Sequence, residues 1–184
     1  MIKKRTLFVA LITALTLNFS WAHTPDLQDD LAQVAASDVR RTVSGIISYS
    51  RWPIFHNKKP LLCVFASSHF LSALITPPYM QEKAVFEAIK VENSEEFLSS
   101  GCDVVYFGEE NEAQQMAIIN RVQGQPLLTI SEQSPRCLGG SSFCLIFADK
   151  RVSFSINMDA LVRTGVRVNP DVLILAKTRD EHCE

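Results

Sequence analysis

The sequence predicts an α/β protein: a single domain with a mostly parallel sheet, helices on both faces and a C-terminal antiparallel hairpin. Three observations carry this reading. Short apolar runs alternate with helical stretches along the chain, the pattern of repeated strand–helix units. Most of those runs are apolar at every position, as strands buried on both faces must be. Near the C-terminus two β-prone segments, Phe143–Ala148 and Val152–Ile156, are separated only by Asp149-Lys150-Arg151, which makes a hairpin turn.

The chain opens on a leader. Lys3, Lys4 and Arg5 precede an apolar run from Leu7 to Leu17, and Ser20-Trp21-Ala22 gives a small-x-small cleavage site, so residues 1–22 are expected to be a secretory signal peptide. Its apolar core is too short for a confident membrane span. There is no cysteine near the cleavage site, which speaks against a lipid anchor. Residues 23–184 then form the exported, soluble domain. About 160 residues suffice for one core and are too few for two comfortable ones.

His23–Leu31 is polar and expected to be mobile. Val39, Val43, Ile46 and Ile47 fall at i, i+4, i+7, i+8, which predicts a helix from about Asp30 to Tyr49. Trp52-Pro53 ends it, since the residue before a proline is pushed out of helical geometry. Trp52 itself is expected to plug the core under this corner. Leu61–Phe65 reads as a buried strand, and Ser68 as the cap of a helix over 69–74 that Pro77-Pro78 terminates. Ala84–Val91 is the second strand and Ser94–Phe97 starts a short capped helix. The third strand is Asp103–Gly108. An acid-rich helix follows over 110–122, with Met116, Ile119 and Val122 on one side. Gly124-Gln125-Pro126 stops it, and Leu127–Ser131 is the fourth strand. After the hairpin, Asn157 caps a short helix that Gly165 ends, and Asn169-Pro170 opens the last one.

Composition excludes several functions. Without Lys3, Lys4 and Arg5 the chain carries 15 basic against 20 acidic residues, a net charge near −5, and no basic patch suits a nucleic acid. The acids Glu109, Glu110 and Glu112 after the third strand would repel a phosphate and read as ordinary helix N-terminal residues. His23, His56, His69 and His182 show no metal-ligand spacing, so no metal and no cofactor is expected. Ser67-Ser68-His69 lacks the surroundings of a nucleophile elbow. No Cys-x-x-Cys occurs, so no catalytic residue of any class emerges and the protein reads as a non-enzyme.

Five cysteines lie beyond the leader: Cys63, Cys102, Cys137, Cys144 and Cys183. In an oxidising compartment four of them make two bridges, and four cysteines allow three pairings that sequence alone does not decide. Cys137 and Cys144 flank the Gly139-Gly140-Ser141-Ser142 turn, so pairing between them is easy; that would leave Cys63 for Cys102.

In order and spacing these residues resemble the YfiR/HmsC family of small periplasmic proteins. The likeness runs from Arg51-Trp52-Pro53 through Leu62-Cys63-Val64, Gly101-Cys102-Asp103-Val104-Val105-Tyr106 and Leu128-Thr129-Ile130-Ser131. It continues through Gly139-Gly140 and Phe154-Ser155-Ile156-Asn157 to Leu173-Ile174-Leu175-Ala176. The resemblance implies disulfides Cys63–Cys102 and Cys137–Cys144, with Cys183 unassigned. It also implies a periplasmic repressor that binds the periplasmic sensory domain of an inner-membrane diguanylate cyclase, limiting cyclic-di-GMP, exopolysaccharide and biofilm. A homodimer and an antagonistic outer-membrane lipoprotein are further partners it allows. The rival reading is a periplasmic small-molecule binding domain with its pocket at the sheet's carboxyl edge.

Two more expectations follow. The partner surface is sought on the helix around Val39–Tyr49 or at Arg163, Val166, Arg167 and Val168, the latter on a short connection between the last two helices that is expected to stay partly uncovered. Cys137–Cys144 closes a small turn and is expected to be the more exposed, and so the more reducible, of the two bridges.

Overall fold

A computed structural model describes residues 31, 34–53, 59–75, 84–122, 124–134 and 136–176. The leader, the stretch 23–30, His56, Pro77-Pro78 and the His182-Cys183 pair lie outside them. Helices are α1 (Ala36–Ser48), α2 (Leu71–Leu74), α3 (Ser94–Ser100), α4 (Glu112–Arg121), α5 (Met158–Arg163) and α6 (Pro170–Ile174). Strands are β1 (Ser50–Arg51), β2 (Leu61–Phe65), β3 (Glu87–Val91), β4 (Val104–Phe107), β5 (Leu128–Ser131), β6 (Phe143–Ala148), β7 (Arg151–Ile156) and β8 (Arg167–Val168).

The main sheet has the order β3-β2-β4-β5-β6-β7. All neighbouring pairs are parallel except β6–β7, which forms the expected hairpin at one edge. The hairpin turn is tighter than predicted. Asp149 (φ 51°) and Lys150 (φ 60°) alone make it, and Arg151 already belongs to β7. Two consecutive left-handed residues match the twist of a two-residue hairpin.

Period-two alternation along the central strands sorts side chains into two layers. Leu62, Val64, Val104, Tyr106, Leu128 and Ile130 face the larger core, under Val39, Val43, Ile46 and Ile47 of α1 and with Phe70 and Leu74 of the α2 region. Cys63, Phe65, Val105 and Phe107 face the smaller core, under Phe97 of α3 and Ile118 of α4. The predicted two-sided cover is therefore present. Leu31 is buried in the larger core, at odds with a wholly polar, mobile entry segment.

Most caps are local and were legible. Asn157 accepts from Ala160 N at 3.0 Å and Asn169 from Asp171 N at 2.9 Å. In α3 the cap is Asn93, one residue earlier than Ser94, accepting from Glu95 N and Glu96 N. A second, two-stranded sheet pairs β1 with β8 in antiparallel register, Ser50 opposite Val168 and Arg51 opposite Arg167. Trp52 next to it packs against the larger core and donates Nε1–H to Asp103 O at 3.1 Å, so it is a core plug as expected.

Candidate functional site

In an open parallel sheet the ligand position is the crevice beyond the strand ends where the winding reverses. Here that point lies between β2 and β4, because the chain runs outward from β2 to β3 and returns to the other side of β2 as β4. A carboxylate of the protein itself fills it. Glu132, directly after β5 and 1% exposed, accepts from Ser68 Oγ at 2.7 Å, His69 N at 3.0 Å and Phe70 N at 3.1 Å. The expected role of Ser68 as helix cap is thus corrected: its hydroxyl donates to Glu132, and Glu132 takes the free amides ahead of α2. Glu110 makes a second tie, accepting from Ser67 Oγ at 2.7 Å and Gly108 N at 2.8 Å. Gly108 is required there, since a Cβ would stand 2.4 Å from Ser68 N. Glu110 is therefore a tether across the switch point, while Glu112 alone sits in the first turn of α4.

A polar hollow of about 320 Å³ remains beside this plug, lined by Leu31, Ser67, His69, Glu109 and Gln133. His69 is exposed and rests edge-on against Phe70, with centroids 4.9 Å apart. Ser67 donates to Glu110 and Ser68 to Glu132, so neither hydroxyl is directed to an activating imidazole. Among the described residues no group of three or more His, Cys, Asp or Glu side chains is arranged to hold a metal ion.

Tyr106 stands next to the plug with its hydroxyl buried and without a hydrogen-bond partner of good geometry. Burial first, and the nearby Glu132 charge second, hold its phenol well above the ordinary range. A phenol raised on folding keeps its full contribution below the unfolded value of about 10 and loses it as pH climbs toward the folded value. Tyr106→Phe is accordingly expected to leave the melting temperature at pH 7 unchanged or slightly higher, and to flatten the loss of stability above about pH 10. Melting curves from pH 7 to 11 check this; a large loss at pH 7 would show that the hydroxyl has a partner in solution.

The structure divides the expected partner surface. Val166 is buried in the larger core, which corrects its placement on the surface. Its amide bonds Thr164 Oγ1 at 3.0 Å, and the chain must turn inward there to bring β8 alongside β1. A charge at Val166 would be desolvated and would test folding, not docking. Arg167 is exposed and Val168 half-buried, and both line an open groove of about 650 Å³ with Ser48, Tyr49, Arg51, Asn169 and Pro170. Arg51 is fixed by donating from Nη1 to Ser48 O (2.7 Å) and Ser50 O (2.8 Å). Among the described residues no acidic side chain lines this groove. Arg163 is not part of it; it lines a different cleft, between α4 and α5.

Both implied disulfides are present, with Cα–Cα distances of 5.9 Å for Cys63–Cys102 and 5.7 Å for Cys137–Cys144. Their exposure is the reverse of the expectation. Cys137 and Cys144 are 2% and 0% exposed, whereas Cys102 is half-buried. The turn enclosed by Cys137–Cys144 is held by a network that sequence reasoning missed. Gln115, fully buried on α4, accepts from Ser141 N (3.1 Å) and Ser141 Oγ (2.8 Å) and donates from Nε2 to Glu110 O (2.7 Å). Gly140 (φ 71°) packs so close that a Cβ would lie 2.4 Å from Gln115 Oε1.

That network also places a polar side chain on the buried face of α4. Gln115 and Ile118 are its buried residues; Met116, Ile119 and Val122, which share one side, are half-buried, with Ile119 and Val122 packed against the smaller core. The signal for its start was present but unread: Asn111 and Gln114 form a reciprocal capping box, at 3.0 and 2.9 Å. No helix among the described residues is long and apolar enough to cross a membrane. Compared with known families, residues 38–177 match the model described as YfiR/HmsC-like.

Proposed function

The chain belongs to the YfiR/HmsC-like family, whose members are periplasmic regulators of diguanylate cyclases, and from that premise we propose that it is a repressor. It binds the periplasmic sensory domain of an inner-membrane cyclase, keeps the cytoplasmic output inactive and so limits exopolysaccharide and biofilm. The observation that favours a docking role is the groove at the β1–β8 ribbon. It combines Tyr49 and Val168 with two guanidiniums, Arg51 and Arg167, and among the described residues has no acid, on a chain whose overall charge is negative. Such a surface suits an acidic, partly apolar segment of a protein partner. Glu132 in the switch point stands against the rival reading of a carboxyl-edge ligand pocket.

Arg51→Glu with Arg167→Glu is the test. Both residues are exposed, so the melting temperature is expected to stay within a few degrees of the parent. Affinity for the cyclase's periplasmic domain should fall about tenfold or more, mainly through a slower, less salt-sensitive association. Cyclic-di-GMP should rise in cells carrying the variant. Unchanged binding by a folded variant would move the interface elsewhere.

A further inference from the structure

A cleft of about 300 Å³ lies between α4 and α5, over the start of β5. Met116, Ile119 and Val122 of α4, all half-buried, line this cleft, and the last two also touch the smaller core. Leu127 and Thr129 supply the floor, and the Thr129 hydroxyl is already engaged by Ser142. Arg163, the exposed last residue of α5, is among the described residues the only charged group in the lining. Among the described residues it has no ion-pair or hydrogen-bond partner, even though Asp159 lies one turn earlier on the same helix. The wall opposite is fixed, because Leu127 N donates to Thr164 O at 3.1 Å and so anchors the end of α5 to β5.

A cleft with an apolar wall, neutral polar groups at Asn120, Gln125 and Thr164, one unpaired guanidinium and, among the described residues, no carboxylate selects a ligand by charge as well as by shape. The guanidinium offers a planar fork to a carboxylate. The missing acid leaves nothing to pair an ammonium, which disfavours cations and zwitterions. The volume is at the lower end for small-molecule sites. We propose that this cleft binds a small organic monocarboxylate with an apolar body, its carboxylate on Arg163 and its hydrocarbon against Met116, Ile119 and Val122. The site is separate from the basic groove and does not depend on the repressor reading.

Hexanoate and 3-phenylpropionate are the probes, titrated into the intact protein and followed by amide chemical shifts and by melting temperature. Saturable shifts are expected at Gly124, Leu127 and Gly140, with a rise in melting temperature at saturation. Hexanol and hexylamine should bind about tenfold more weakly or worse. Arg163→Gln should lose about tenfold in carboxylate affinity without altering the melting temperature of the free protein, and Arg163→Lys should keep part of it. Met116→Glu, which places a like charge in the cleft, should abolish binding. Absence of saturable shifts at those amides, equal binding of hexanol, or full affinity in Arg163→Gln would each overturn the proposal.

Discussion

Glu132→Ala is expected to lower the unfolding free energy by about 3–5 kcal/mol, because three donors lose their acceptor at once. A buried donor left unmet costs about 1–3 kcal/mol, and water entering the emptied space recovers part of the sum. For a domain of this size that corresponds to a fall in melting temperature of about 10 °C. Glu132→Gln should lie between parent and alanine variant: the amide keeps one acceptor oxygen but turns its NH₂ toward a donor. Urea unfolding of the three proteins measures the series. A loss under about 1 kcal/mol for the alanine variant would mean that the Ser68–Phe70 loop is held by something other than this carboxylate.

Removing the Cys63–Cys102 bridge should cost about 4 kcal/mol, against about 2.5 kcal/mol for Cys137–Cys144. The loop-entropy relation gives these values for closed loops of about 40 and about 8 residues. Double serine variants of each pair, compared by denaturant midpoint, test the ranking. Half-exposed Cys102 also changes which bridge a reductant meets first. Thiol trapping during mild reduction is expected to label Cys63 and Cys102 before Cys137 and Cys144, since access limits attack by a thiolate. If reduction of the periplasm relieves repression, the long-loop bridge is then the one through which it acts. Repression that persists in a folded Cys63→Ser, Cys102→Ser variant would reduce that bridge to a structural staple.

What the sequence revealed here was whatever is decided locally. Val39, Val43, Ile46 and Ile47 announce α1 because helical periodicity puts them on one face, and they are indeed buried. Leu62 to Phe65 and Val104 to Phe107 announce two-faced strands because every position is apolar. Asn157 and Asn169 cap helices whose amides are two or three residues away. The errors arise where a distant partner outbids the local one. Ser68 surrenders its cap role to a carboxylate 64 residues away. Gln115 is buried on α4 because Ser141, 26 residues on, satisfies its amide oxygen there. Val166 goes inside because β8 must meet β1 at the other end of the chain. None of these partners leaves a periodic trace in the sequence.

The β1–β8 ribbon also orders events in time. Ser50 and Arg51 pair with Val168 and Arg167, and Asn169 N bonds Tyr49 O at 2.9 Å. Helix α1, which precedes β1, packs on β7, itself the last strand of the main sheet. A chain emerging N-terminus first therefore presents α1 long before β7 exists to receive it. Closing so long a loop carries its entropic cost before any contact repays it, which places these pairings late in folding. The groove formed at the ribbon is thus completed only once the two ends of the domain have met, and a chain cut short before Arg167 has no such surface to offer.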